Sequence, residues 1–161
     1  MAMVRERVYI EAPYTQALPA LERRLGLAPG EDRGECVLTL TLPVTEGREL
    51  ARTVTAATER LAASANYAAR FALRWDAGLS SRGIPTPGFT GTLSVSAGED
   101  YDETALELDG GYEPPGGLAG RAFDELIGRP IAHATLTALL GGVGDELRAE
   151  HARIEAGKHG G

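Results

Sequence analysis

The chain has 161 residues, 43% of them hydrophobic and 24% charged, with a formal net charge of −7. That is one domain's length of chain with enough apolar residues for a core of its own, which excludes disordered, fibrous and multidomain classes. One cysteine, Cys36, excludes a disulfide scaffold and a cysteine-based metal site, and an acid excess with arginines scattered among the acids excludes a basic nucleic-acid surface.

In chain order, Val4 to Ile10 alternates. Val4, Glu6, Val8 and Ile10 share one face and Arg5, Arg7 and Tyr9 the other, which predicts a first strand with Val8 and Ile10 inward. Pro13 stops it. Leu18, Leu21 and Leu25 follow at helical spacing. Pro19 lacks an N–H and crowds the preceding turn, so two short helical pieces or one kinked helix are expected, ending at Gly26. Ala28 to Asp32 is a turn-rich loop.

Cys36 to Val44 alternates again, with Leu38, Leu40 and Leu42 on one side, and predicts a half-buried strand. Cys36, at the head of this apolar run, reads as a small buried hydrophobe. Thr45 to Arg48 is a hairpin-like turn. Leu50 to Ala63 is balanced: its alanines and glutamate favour helix, while Thr53, Val54, Thr55 and Thr58 favour strand. Tyr67 to Asp76 predicts a strand with Phe71, Leu73 and Trp75 on one face and Arg70, Ala72 and Arg74 on the other. A long loop over Gly78 to Gly88 contains Pro85 and Pro87.

Thr90 to Ala97 and Thr104 to Tyr112 predict two more strands, joined by the acidic turn Gly98 to Glu103. Leu106 and Leu108 point in, Glu107 and Asp109 out. The acidic turn lacks the glycine and distal glutamate of a calcium loop and reads as a solvated tip. Pro114-Pro115-Gly116-Gly117 ends the sheet. Leu118 to about Ala156 is helical in pattern, with an apolar stripe of Phe123, Leu126, Ile127, Ile131, Ala134, Ala138 and Leu139. Gly128 and Pro130 should kink or divide it near Arg129, and Gly141, Gly142 and Gly144 weaken a second point. Lys158 to Gly161 reads as a frayed tail, leaving a single domain over 1–157. Strands, short helices, a run of antiparallel strands and one long helix make an α+β pattern.

Trp75-x-Ala77-Gly78, then Phe89-x-Gly91-x-Leu93, then Thr104-x-Leu106-x-Leu108-x-Gly110-x-Tyr112-x-Pro114-Pro115 resembles the START-like superfamily, also called SRPBCC or Bet v 1-like and including polyketide cyclases and lipid transporters. Gly117, Gly120, Asp124, Arg129, Ala132, Ala134-Thr135 and Leu139-Leu140 are similar to its C-terminal helix. The resemblance covers roughly Ala69 to Leu147. It implies the helix-grip fold, a curved antiparallel sheet wrapped around a long C-terminal helix, and resolves Leu50 to Arg60 toward strand. It further implies an apolar cavity between sheet and helix that takes a small hydrophobic ligand. The three glycines of the helix and Pro130 depart from the family and bear on the straightness of the helix, hence on the cavity.

In that fold the expected cavity residues are Leu40, Phe71, Leu73, Trp75, Leu93, Leu106, Leu108, Tyr112, Phe123, Ile127 and Ile131. Arg70 and Arg74 join them if the charged face of their strand, which also carries Asp76, turns inward and clamps a ligand carboxylate; otherwise they face solvent. Tyr112 is either a core tyrosine or a polar tip in the cavity. His133 is the one histidine in an expected core element. With Tyr112 and Asp124 it is a candidate for the acid and base a cyclase or dehydratase needs; otherwise it is a structural histidine, since no partner fixing its tautomer can be named. His151 and His159 have no metal-ligand spacing. No cofactor and no metal are expected. The leading expectation is a carrier or binder of a lipid-like or aromatic molecule; an enzyme of cyclase type and a filled-core interaction domain are the alternatives. Without an apolar leader or a membrane-length run, the expected setting is cytoplasmic, with no membrane insertion, as a monomer or homodimer.

Overall fold

The computed structural model describes residues 2–45, 48–63, 65–76, 87–113 and 129–159. The elements are β1 (Ala2–Ile10), α1 (Tyr14–Arg24), β2 (Arg33–Thr45), β3 (Arg48–Leu61), β4 (Ala68–Trp75), β5 (Gly88–Ala97), β6 (Thr104–Glu113) and α2 (Arg129–His159). All six strands form one antiparallel sheet in the order β1-β6-β5-β4-β3-β2.

The curvature follows from what the helix touches. α2 packs against β1 and β2, the two edges of the sheet, and against α1. Five strand spacings of about 4.8 Å span about 24 Å, whereas a helix with its side chains is about 10–12 Å across. A helix laid across a flat sheet would touch the middle strands as much as the edges, so contacts concentrated on β1 and β2 mean that the sheet wraps around α2. This is the expected helix-grip arrangement.

Strand alternation predicts the inward face correctly. Val4 and Ile10 of β1, Leu38 and Leu40 of β2, Phe71, Leu73 and Trp75 of β4, Leu93 and Val95 of β5, and Leu106 and Leu108 of β6 are all buried. β3 is a strand throughout, with Ala56 and Thr58 buried on the inner side. Its run of threonines and alanines suits a strand whose outer side is exposed, and ladder pairing with β2 and β4 outweighs the helical preference of the alanines.

One open expectation about the helices is decided and two are corrected. First, of the two forms expected for α1 the chain adopts the single helix, which passes through Pro19 with Ala17, Ala20 and Leu21 buried. The proline withholds one hydrogen bond, to the Thr15 carbonyl, and both residues lie on the exposed side, where water can serve that carbonyl. The end at Gly26 is as expected: Gly26 has φ +75°, and the Leu27 N–H donates to the Glu22 carbonyl at 3.0 Å.

Second, α2 is continuous from Arg129 to His159, through Gly141, Gly142 and Gly144 and through Lys158 and His159 of the expected tail. Pro130 sits in its first turn, where no intrahelical N–H bond is lost. The Arg24 guanidinium of α1 lies over Gly142, 2.1 Å from where a β-carbon would stand, and it can swing aside. Nothing in the structure explains Gly141. Third, the buried face of α2 is Ala132, Thr135, Leu136, Leu139 and Val143, rather than the stripe through Ala134 and Ala138. The spacing 132, 135, 136, 139, 143 is a clean helical face that includes a threonine, and a stripe drawn through apolar residues alone passes over Thr135 and is rotated by it.

Two buried hydroxyls fasten α1 to the sheet. Thr104 Oγ1 donates to the Ala12 carbonyl at 2.7 Å before the helix, and Thr58 Oγ1 donates to the Leu25 carbonyl at 2.8 Å after it. Across the same junction Arg60 of β3 pairs with Glu22 of α1 at 2.6 Å.

Candidate functional site

The concave face of the sheet carries the candidate site. Its centre is a row of aromatic residues in register across three strands, Trp75, Phe89 and Tyr112. Ala56 stands at the β3 end of this row, one residue before the β3–β4 pairing begins at Ala57. The Trp75 and Phe89 rings stack with centroids 4.8 Å apart, and Phe89 lies 4.9 Å from Tyr112. Trp75 Nε1 donates to the Pro87 carbonyl at 2.9 Å, so the indole is fixed as well as buried.

The Phe89 ring has its place because two glycines face each other beside it. Gly91 and Gly110 are cross-strand partners, and a β-carbon on either would come within 2.8 Å of Phe89 Cζ. Phe89 therefore fills the space that two missing side chains leave on the inner face.

Tyr112 is fully buried. Among the described residues its hydroxyl has no hydrogen bond of full geometry. Burial pushes its phenol well above the ordinary tyrosine range; the Thr135 hydroxyl on α2 works against that shift, and the negative charge of Glu6 adds to it. The group is a neutral donor at any physiological pH, not a base.

Of the residues expected to line a cavity, Leu40, Phe71, Leu73, Trp75, Leu93, Leu106, Leu108 and Tyr112 share the concave face, each no more than 3% exposed. Phe123 and Ile127 lie outside the described residues; Ile131 is in the first turns of α2. Arg70 and Arg74 are corrected: both are exposed on the outer, convex face of β4, opposite Phe71, Leu73 and Trp75, because alternation that buries the aromatics must turn the arginines out. Arg74 pairs there with Asp76 at 3.6 Å. It lines an open groove of about 990 Å³ on the convex face with Arg33, Glu35, Glu59 and the small residues Ala57 and Ala72.

His133 is also corrected. It is exposed on α2, and its carbonyl accepts a hydrogen bond from Thr137 Oγ1 at 2.8 Å. A helical step of about 100° per residue turns it away from Thr135, which faces Tyr112. Asp124 lies outside the described residues. The described structure therefore does not bring the acid–base set of Tyr112, His133 and Asp124 together. Cys36 is buried, and burial pushes its thiol up to about 11 against the opposing pull of the Arg24 charge.

Sequence reasoning passes over three inner-face charges, Glu6, Arg52 and Arg60. Alternation puts Glu6 on the inner side of β1 but gives it no role. Arg52 falls in the segment balanced between helix and strand, where no face can be assigned. Once β3 is a strand, the period of two from Ala56 puts Arg52 on the concave side. Among the described residues no group of three or more histidine, cysteine, aspartate or glutamate side chains is placed to hold a metal ion, and no helix is long and apolar enough to cross a membrane.

No family model matches the chain, and no curated protein does. Solved structures do. TTHA0849 from Thermus thermophilus superimposes with a TM-score of 0.53 at 19% identity, over 92% of this chain and 98% of that one. A START superfamily protein from Mycobacterium smegmatis gives 0.45 at 18% identity, over 90% and 99%. XoxI from Bacillus cereus gives 0.45 at 13%, over 89% and 93%. At 19% identity the likeness to the Thermus protein concerns the fold alone, and it extends over nearly the whole chain. The architecture is a helix-grip fold, an antiparallel sheet curled around a long C-terminal helix.

Proposed function

We propose that the protein binds a small, largely apolar molecule between the concave face of the sheet and α2. The observation that carries this reading is a buried polar atom without a partner on a largely apolar face. Arg52 Nε is buried without a hydrogen bond among the described residues, and Tyr112 Oη, buried beside the Thr135 hydroxyl, makes none of full geometry. Buried donors are ordinarily paired, and leaving one unpaired costs about 1–3 kcal/mol. A bound molecule with an acceptor atom supplies the missing partner, while the aromatic row supplies contact area for its apolar body at about 25 cal/mol per Å².

Among the described residues the expected cavity residues on the sheet are each no more than 3% exposed, which favours a second reading, a domain with a filled core. Native mass spectrometry of protein purified without denaturation separates the two. Added mass of a few hundred daltons that disappears on organic extraction supports a ligand. The bare chain alone, unchanged after incubation with fatty alcohols and aromatic polyketide-like compounds, supports the filled core.

A further inference from the structure

Arg52 and Arg60 lie on the same strand and the same face, eight residues apart, and the protein treats them differently. Arg60 is neutralised: it pairs with Glu22 at 2.6 Å and Asp32 at 3.6 Å, donates to the Glu31 carbonyl at 3.3 Å, and sits over the Phe71 ring at 5.8 Å. Arg52 has no such partner among the described residues. No ion pair among the described residues includes it, and its Nε is buried without an acceptor. Its cross-strand partner on β2 is Leu40, fully buried, and its neighbour on the inner face is Val54. A cation held with a dry Nε among aliphatic side chains is costly unless an anion meets it.

Its place in the sheet is as informative as its lack of a partner. β3 pairs with β4 only over Ala57–Leu61, so Arg52 stands on the stretch of β3 that runs past the end of β4 beside β2. It is four residues, about 13 Å along the strand, beyond Ala56 and the aromatic row. Among the described residues the concave face thus has an aromatic floor and, at the end away from Arg60, the half-buried guanidinium of Arg52.

Resting on the reading of the concave face as a ligand site, we propose that its ligand is an anionic amphiphile. The carboxylate, or another head of the same charge and shape, is held by the Nε–H and one Nη–H of Arg52, and the apolar body lies toward Trp75, Phe89 and Tyr112. A guanidinium offers two parallel donors to a carboxylate, which a neutral head cannot use equally. The neutral Tyr112 hydroxyl is a second donor, placed for any acceptor along the body of the ligand.

The test uses the intact chain and two probes of equal length, dodecanoate and 1-dodecanol, each below its micellar concentration. Binding is followed through the emission of Trp75, the only tryptophan. The proposal expects saturable binding of both, with dodecanoate at least about tenfold tighter. Arg52→Gln and Arg52→Met should each remove that preference while leaving dodecanol affinity within about twofold, and Arg52→Lys should restore part of it. Circular dichroism and the melting temperature establish that each variant is folded. Equal affinity for the two probes, or a carboxylate preference that survives Arg52→Gln, overturns the anion site but leaves the binding function standing. Binding of neither probe overturns the binding function and the anion site with it.

Discussion

Placing one methyl group at Gly110 sets two physical effects against each other. In an ordinary strand, replacing glycine by alanine stabilises a protein by roughly 0.5–1 kcal/mol, because glycine loses more backbone freedom on folding. Here the new carbon would lie 2.5 Å from the Thr90 carbonyl oxygen, 2.6 Å from Gly91 Cα and 2.8 Å from Phe89 Cζ. Two of these three are main-chain atoms of the neighbouring strand and cannot rotate away. The strand pair must part, or the Phe89 ring must leave its stack on Trp75. Overpacking of this kind costs about 1–3 kcal/mol. Net of the backbone gain, the loss is up to about 2.5 kcal/mol, so Gly110→Ala should lower the melting temperature by up to about 10 °C, at 2–4 °C per kcal/mol for a chain of this size. Thermal unfolding followed by far-ultraviolet circular dichroism gives the shift, and the near-ultraviolet spectrum of Trp75 reports the stack. Phe89→Leu in the same chain should recover part of the loss, because removing the ring frees one of the three contacts. An unchanged or raised melting temperature for Gly110→Ala would refute the packing argument.

Other substitutions test other joints. Gly26 and Gly30 both have positive φ, +75° and +82°, but a β-carbon on Gly26 would lie 1.9 Å from the Glu35 carbonyl oxygen while one on Gly30 meets nothing within 4 Å. Gly30→Ala should cost about 1–2 kcal/mol of backbone strain, and Gly26→Ala distinctly more, in denaturant unfolding; equal costs would contradict the close packing of the α1 end on β2. Thr58→Val and Thr104→Val each leave a buried carbonyl without its donor, so each should lose about 1–3 kcal/mol and the losses should add in the double variant. The Cys36 thiol should resist alkylation at pH 8 in the folded chain and react readily in denaturant. Because its pKa rises on folding from 9.0 to about 11, its contribution to stability is whole below pH 9 and is lost as the pH climbs toward 11; Cys36→Ala should flatten that alkaline decline in chemical unfolding.

The sheet is legible in the sequence because period-two alternation states both the strand and its face. Phe71, Leu73 and Trp75 against Arg70 and Arg74 can be read in only two ways, and burying the aromatics is the one the chain adopts. β3 is not legible from its own residues: alanine and threonine balance as local preferences, and pairing with β2 on one side and β4 on the other decides between them. That gap hides Arg52. The glycines of α2 mislead in the same way, since local helix cost is weighed without the packing of α1 on α2 that offsets it. His133 falls in the expected core only because the apolar stripe is drawn one position off; Thr135, a polar residue on the buried face, is the signal that sets it right.

The central claim, that the concave face holds an apolar molecule, is tested most directly by titrating the protein with 1-dodecanol while following Trp75 emission. The account predicts a saturable, one-site change accompanied by a higher melting temperature at saturation. No saturable change in emission, with a melting temperature that stays constant across the titration, would contradict it.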